Sequence, residues 1–163
     1  SGGEYPDADG LITCNQSVFL SIQVADCVPI FIYDFKTGCK GLVHSGWKGT
    51  ANKIISKAIK LFIQKGSSQK DIKVLIGPSI RKCCYEVGEE LVVLFDPNCI
   101  QSIGSKFMLD ISLQIKIDLK KLEIPESNII DSSVCTYCNS ECHSYRREKG
   151  VGRMIALLGE TDV

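Results

Sequence analysis

Two residues in the first third of the chain carry groups that can do chemistry together. Cys27 sits in Ala25-Asp26-Cys27-Val28-Pro29, and His44 opens His44-Ser45-Gly46-Trp47-Lys48-Gly49-Thr50. A thiolate and an imidazole bind zinc and leave coordination open for water or substrate. The same pair also suits a dyad in which the imidazole takes the thiol proton and the sulfur attacks a substrate. A third reading is structural, with Cys27 a small core residue and His44 a hydrogen-bonded polar group at a strand end. The turn after His44 favours chemistry: Gly46 and Gly49 let an anion approach the backbone where a helix begins, and Lys48 adds a full positive charge, so the turn suits phosphate, its other reading being a plain connector. Ser144-Tyr145-Arg146-Arg147, with Gly150-Val151-Gly152-Arg153 close behind it, places more guanidinium groups near glycine turns, and Arg146 and Arg147 suit a bidentate grip on phosphate or carboxylate, the other reading being a solvated basic loop. Only two histidines exist, His44 and His143, so any imidazole chemistry within this chain uses one of them.

Nine cysteines are present, and no segment at the start of the chain reads as a secretory signal, so reduced thiols are expected. Cys135-x2-Cys138-x3-Cys142-His143 offers zinc-ligand residue types. Its adjacent Cys142 and His143 make awkward co-ligands, however, and the vicinal Cys83-Cys84 has no second CxxC partner in the sequence. The expectation for most of these cysteines is a buried, unpaired thiol.

Strands and turns must position Cys27 and His44. Val18 to Val24 reads as a strand buried on both sides, Val28 to Tyr33 as a second strand and Cys39 to His44 as a third, with turn residues at Asp34 to Gly38 joining the last two as a hairpin. That hairpin brings Cys27 and His44 to one end of a sheet. A helix is expected after Thr50, its N-cap, and ends at Gly66, with Ile54, Ile55, Ala58, Ile59, Phe62 and Ile63 at helical spacing. Ile72 to Ile76 is a strand, and a short helix is expected from Val87 or Gly88 to Phe95. Ile111 to Leu122 fits both a period of two and a helix, and its length and polar content favour the helix. Asn128 to Val134 and Met154 to Leu158 read as strands. The interleaving predicts a single α/β (mixed α+β) domain over residues 1–163, with a mixed β-sheet core and flanking helices.

Nineteen basic residues balance nineteen acidic ones, so no global field recruits nucleic acid or a membrane surface, and no apolar run reaches the length of a bilayer span. A cytoplasmic enzyme is the expected class. Two histidines are too few for multicopper clusters. The zinc nucleobase deaminase pattern is also absent, because Ser45 and Gly46 come directly after His44.

Taken in order, Ala25-Asp26-Cys27-Val28-Pro29, His44-Ser45-Gly46-Trp47-Lys48-Gly49, Gly77-Pro78-Ser79-Ile80, Cys84-Tyr85-Glu86-Val87-Gly88, Cys135-Thr136-Tyr137, and Ser144-Tyr145-Arg146-Arg147 with Gly152-Arg153-Met154 resemble one family. It is the laccase-domain proteins, once called multicopper polyphenol oxidases and now regarded as purine nucleoside phosphorylases. The resemblance implies a cytotoxic-necrotizing-factor/laccase-domain-like fold. It also implies zinc held by a His, the Cys of Asp-Cys-x-Pro and the His of His-x-Gly-Trp, the last two being Cys27 and His44 here. The substrates implied are adenosine, inosine or methylthioadenosine with phosphate, giving free purine and ribose 1-phosphate, with adenosine deamination as a second activity. The family's first zinc-binding His lies upstream of the stretch matching Asp7 to Gly10, so the third ligand and an N-terminal part of the family fold are expected to be missing from this chain. Lys48 stands where the family usually has Arg. The alternatives are a Cys-His hydrolase or deamidase, a copper polyphenol oxidase, and a catalytically inactive fragment.

Overall fold

The structure is a computed structural model and describes residues 3–150 and 152–160. Ser1, Gly2, Val151 and residues 161–163 lie outside the described residues, and the expected turn at Gly150-Val151-Gly152-Arg153 falls partly on them. The central sheet has five strands: β1 (Gly10–Thr13), β3 (Val28–Asp34), β4 (Cys39–Ser45), β5 (Ile72–Ile76) and β9 (Ile129–Asp131), in the order β1-β4-β3-β5-β9. All neighbours are antiparallel except β5 and β9, which run parallel. The hairpin expected around Asp34 to Gly38 is present. Asp34 accepts from the backbone N–H of Lys36, and Gly38 takes a positive φ of 66°.

Alternation along these strands sorts side chains onto two faces. Ile30, Ile32, Val43, Val74 and Ile76 face the main core, which α2 (Ile54–Gln64) covers with Ile55, Ala58, Ile59 and Phe62 and α4 (Ile111–Lys121) covers with Ile111, Ile115 and Leu119. Gly41 on β4 lets α2 lie close, because a Cβ there would stand 2.9 Å from the Phe62 ring. On the opposite face Leu42 and Phe31 meet Leu20 and Ala156, from a ribbon of β2 (Leu20–Val24) and β10 (Met154–Leu158). A three-stranded sheet of β6 (Glu86–Val87), β8 (Lys106–Leu109) and β7 (Ile100–Ile103), with α3 (Glu89–Val92), completes the mixed α+β arrangement. Among the described residues no helix is long and apolar enough to cross a membrane.

Several elements differ from the expectations of pattern and propensity. The helix after the glycine turn begins earlier, as α1 (Trp47–Ala51) with Gly46 at its N-cap, and breaks where Lys53 takes a left-handed φ of 58°. Thr50 is therefore inside the first turns and not a cap. Its hydroxyl donates back to the Gly46 carbonyl at 2.9 Å and lies 2.8 Å from the Ser45 hydroxyl. β2 is not buried on both sides, since Ser21 and Phe19 are exposed and only the β10 edge pairs with it. Ile111 onward is helical because Asp110 caps it, accepting from Leu113 N–H at 2.9 Å, and the spacing of four closes its apolar stripe. The hairpin of β7 and β8 was not expected at all. It turns at Gly104, which has φ 59°. One pair of cysteines is oxidised, against the expectation of reduced thiols: Cys14 and Cys39 are joined in a disulfide. The register explains it, because β1 pairs Thr13 with Lys40 and the next antiparallel step sets Cys14 opposite Cys39.

Arg81 stitches the ends of β5, β9 and α4 together. It donates to the carbonyls of Val134 and Gly77 and to Ser132 and Ser112, and it pairs with Asp131 at 2.9 Å. Lys116 reaches the other Asp131 oxygen at 2.7 Å. Burial pushes the Asp131 carboxyl up. Lys116, the Ser133 N–H and Arg81 overcome that and hold it below its ordinary value of 3.8. Asp131 therefore contributes stability that is full above the unfolded value and is lost as pH falls through the lower folded one. Asp131→Asn is expected to cost about 2 kcal/mol at neutral pH, with the deficit shrinking in acid as pH falls below 3.8. Urea unfolding of both chains at neutral and acid pH checks this, and an unchanged deficit would refute the pairing.

Candidate active site

The hairpin β3–β4 builds the site. Its register pairs Val28 with Ser45 and Pro29 with His44, and one step further sets Cys27 opposite Gly46. The Cys27 sulfur does lie against Gly46, only 3.0 Å from where a Cβ would stand. Gly46 is thus required by close approach of the thiol. On an antiparallel pair, Cys27 and His44 are then diagonal neighbours at one sheet end.

Asp9 joins them. Its carbonyl accepts from the His44 backbone N–H at 2.8 Å, and its carboxylate lies 3.1 Å from His44 Nδ1. A carboxylate accepts, so this contact favours the tautomer with the proton on Nδ1, which in the neutral ring leaves the Nε2 lone pair for a metal or a substrate. The field of Asp9 also reaches Cys27. Burial first, then Asp26 and Asp9, raise the Cys27 thiol above its ordinary 9.0, with Arg153 opposing.

Beside Cys27, Asp26 holds the site's far wall. It is buried and takes a left-handed φ of 77°. One carboxylate oxygen accepts from the Thr136 hydroxyl at 2.6 Å, the other from the Arg146 backbone N–H at 2.7 Å, and its carbonyl accepts from Ile80 N–H at 2.9 Å. These bonds draw three separate segments to the start of β3. They enclose a cavity of about 130 Å³ lined by Ala25, Asp26, Cys27, Gly46, Ile80, Tyr85, Ile111, Tyr145 and Arg146. Five of the six sequence motifs that carry the family resemblance contribute to this one space.

Arg146, at the start of α5 (Tyr145–Glu148), lies over the Tyr85 ring at 5.4 Å and donates to the Glu86 carbonyl, leaving further donors free. Burial, then Cys27 and Asp26, with Arg146 opposing, push the Tyr85 phenol up to about 12, so it stays protonated. Arg147 points elsewhere: its guanidinium donates to the carbonyls of Thr136, Tyr137, Asn139 and Cys142 and to Glu148. Lys48 is exposed on the first turn of α1, with its ammonium 5.4 Å from the Trp47 ring centre, and neither it nor Gly49 lines the cavity. His143 faces Glu148 at 3.6 Å. Residue types and spacing did not point to Asp9, Asp26, Tyr85 or Tyr145 as site residues. The clue to Asp26 was its place beside Cys27, whereas Asp9 carries no local signal.

Cys27 and His44 are zinc-type donors, and Asp9 gives His44 the outer-shell partner that metal-bound imidazoles take. A catalytic zinc wants three protein ligands, and among the described residues Cys27 and His44 belong to no group of three His, Cys, Asp or Glu donors that all lie within 4.8 Å of one another. The donor set therefore fits in chemistry and falls short in number.

A mixed α+β protein with a cavity at the end of its central sheet is the class that fold and site define. A solved structure of the same class, the hypothetical protein YfiH of Bacillus licheniformis, superposes with a TM-score of 0.90 at 33% identity, over 94% of this chain and 61% of that one. The chain belongs to the family described as multi-copper polyphenol oxidoreductase laccase, whose model matches residues 1–160. A purine nucleoside phosphorylase of Clostridium acetobutylicum is 36% identical over 97% of this chain and 69% of its own length. Adenosine deaminase RL5, from an unknown prokaryotic organism, is 28% identical over 93% of this chain and 61% of its own length. The chain thus spans roughly six to seven tenths of the relatives it matches.

Proposed function

We propose that this chain carries the catalytic centre of a purine nucleoside phosphorylase, with Cys27 and His44 as its reactive pair. The observation that carries this reading is the cavity in which Cys27 meets Arg146, Tyr85 and Tyr145, with His44 outside its lining, one diagonal step from Cys27 and hydrogen-bonded to Asp9. Relatives named for phosphorolysis and adenosine deamination support it.

In phosphorolysis a phosphate oxygen bonds to C1′ of the ribose as the N9–C1′ bond breaks. The bonding pair leaves with the purine, which takes up a proton. Arg146 supplies cationic donors for the phosphate, and Lys48, outside the cavity lining, adds positive charge on the helix that begins after Gly46. Arg147 acts through its carbonyl contacts, holding the loop that carries Arg146. The two phenol rings offer faces for the purine. A cavity of about 130 Å³ receives one end of a nucleoside, below the ~300 Å³ of a typical small-molecule pocket. The metal implied is zinc, with Cys27 Sγ and His44 Nε2 as this chain's donors; when bound, it acidifies water or polarises a substrate oxygen.

The test is phosphate-dependent release of hypoxanthine from inosine, with adenosine and methylthioadenosine as further substrates and metal content measured alongside. No release from any of the three would overturn the reading. Loss with a strong chelator and rescue by zinc support the metal; loss by thiol alkylation with indifference to chelators favours the Cys-His hydrolase instead. Asp9→Asn is expected to lower turnover about 10-fold, because the imidazole loses its fixed tautomer and orientation. An unchanged rate in that variant would remove Asp9 from the site.

A further inference from the structure

We propose that Cys83, Cys84, Cys135 and Cys138 form a closed structural zinc site, separate from Cys27 and His44, that ties the turn bearing Tyr85 to the loop bearing Arg146. The four sulfurs all lie within 4.8 Å of one another, the only such group of three or more metal-donor side chains among the described residues. Cys84 and Cys138 are 3.3 Å apart and Cys83 and Cys138 3.9 Å. A tetrahedral zinc with Zn–S bonds of about 2.3 Å sets its sulfurs about 3.8 Å apart, so one ion fits with small adjustments.

Packing does not explain the cluster. Cys83 and Cys138 are exposed, and none of the four belongs to either apolar core. Backbone geometry, by contrast, is arranged around them. Cys83 and Cys84 ride a turn closed by Cys84 N–H and Tyr85 N–H donating to the Arg81 carbonyl, each at 2.9 Å. Cys135 and Cys138 ride a second turn closed by Asn139 N–H on the Cys135 carbonyl, and the backbone N–H groups of Cys138, Arg81 and Tyr137 face the Cys135 sulfur. The two turns are pinned side by side by the bonds between Ser79 and Thr136 and between Ser79 and Val134. In sequence the two halves are some fifty residues apart, and the CxxC that Cys83-Cys84 lacks locally is Cys135-Cys138. Cys142 and His143, which belonged to the sequence pattern, take no part.

Binding one Zn²⁺ displaces a proton from each thiol and leaves a thiolate complex of net charge about −2. Arg146 lines the depression over Cys83 and Cys84 and offsets part of that charge, whereas Lys106, also there, is already paired with Glu86 at 2.8 Å. Four thiolates fill a tetrahedral shell, so the ion has no open position and does no chemistry itself. Its effect is positional. Tyr85 is the next residue after Cys84, and Arg147 grips the carbonyls of the loop that contains Cys138. Closing the site therefore fixes two walls of the nucleoside cavity.

The experiment measures metal on the full purified chain and on Cys27→Ala. About one zinc per chain is expected to survive in Cys27→Ala and to be released when thiols are titrated with a mercurial. Cys135→Ser/Cys138→Ser is expected to lose that zinc. Should the double variant fail to fold, cobalt-substituted Cys27→Ala decides the matter. The intense visible bands and strong thiolate charge transfer of a tetrahedral cobalt–sulfur centre would support the site. Zinc-free Cys27→Ala without a cobalt–thiolate spectrum would overturn it, and so would a Cys84–Cys138 disulfide mapped in the unreduced chain. None of these readouts depends on phosphorolysis.

Discussion

Cys27→Ala and His44→Ala are each expected to lower phosphate-dependent purine release by at least about 100-fold while leaving the fold intact. Cys27 is half-buried at the start of β3, where alanine fills the space with a smaller group, and His44 is half-buried at the end of β4. Neither side chain belongs to the apolar core, so unfolding by heat or urea should move little. Cys27→Ser separates two roles for the sulfur. As a metal donor, the hydroxyl is a poor replacement, and both zinc and activity should fall together. As a nucleophile, the sulfur would act without metal, and chelation would leave the wild-type rate alone. The direction of the Cys27 shift counts against an unassisted nucleophile at neutral pH. Burial and two neighbouring carboxylates raise this thiol above 9.0, so near neutral pH the metal-free protein holds it protonated, and a thiolate appears only in more alkaline solution. Alkylation of Cys27 in the chelated chain should therefore be slow at neutral pH and accelerate above pH 9.0. Fast alkylation at neutral pH would favour the hydrolase dyad instead.

Asp26→Ala is expected to cost about 3 kcal/mol of stability and most of the activity. The buried carboxylate is the common acceptor for Thr136 and for the Arg146 backbone, segments more than a hundred residues away in sequence. Alanine leaves both donors unsatisfied and frees the loop whose residues wall the cavity. It also keeps a Cβ at φ 77°, where a left-handed residue costs about 1 kcal/mol. Asp26→Gly should consequently be less destabilised than Asp26→Ala by up to about 1 kcal/mol, although it makes no more hydrogen bonds. Asp26→Asn retains size but turns an N–H towards one of the two donors, so it should fall between wild type and alanine in stability and still lose activity. Urea unfolding and inosine turnover measured on the three variants check the order. Equal stability of Asp26→Ala and wild type would mean that the loop is held by other contacts.

The elements closest to Cys27 and His44 were readable because their signals are local. Val28–Asp34 and Cys39–Ser45 are apolar runs on either side of a turn with Asp34 and Gly38, and hairpin register is set by the turn. The helix at Ile111–Lys121 was ambiguous by periodicity, and the Asp110 cap resolves it. The split between α1 and α2 was missed, because a left-handed Lys53 leaves no mark on residue type. So was the hairpin at Gly104, whose strands are short and mostly exposed.

By itself the sequence determined the candidate chemistry: one thiol, one imidazole, a glycine turn and an arginine pair, with enough ordered motifs to indicate the family. Tertiary structure decided which of these groups meet. It brought Arg146 to the cavity and committed Arg147 to backbone carbonyls, set Asp9 against His44, and joined Cys83-Cys84 to Cys135-Cys138. The division has a physical cause. Strand register and turn type are fixed by neighbours a few residues apart, whereas the direction of a long side chain and the meeting of distant loops depend on packing that forms only when the whole chain has folded.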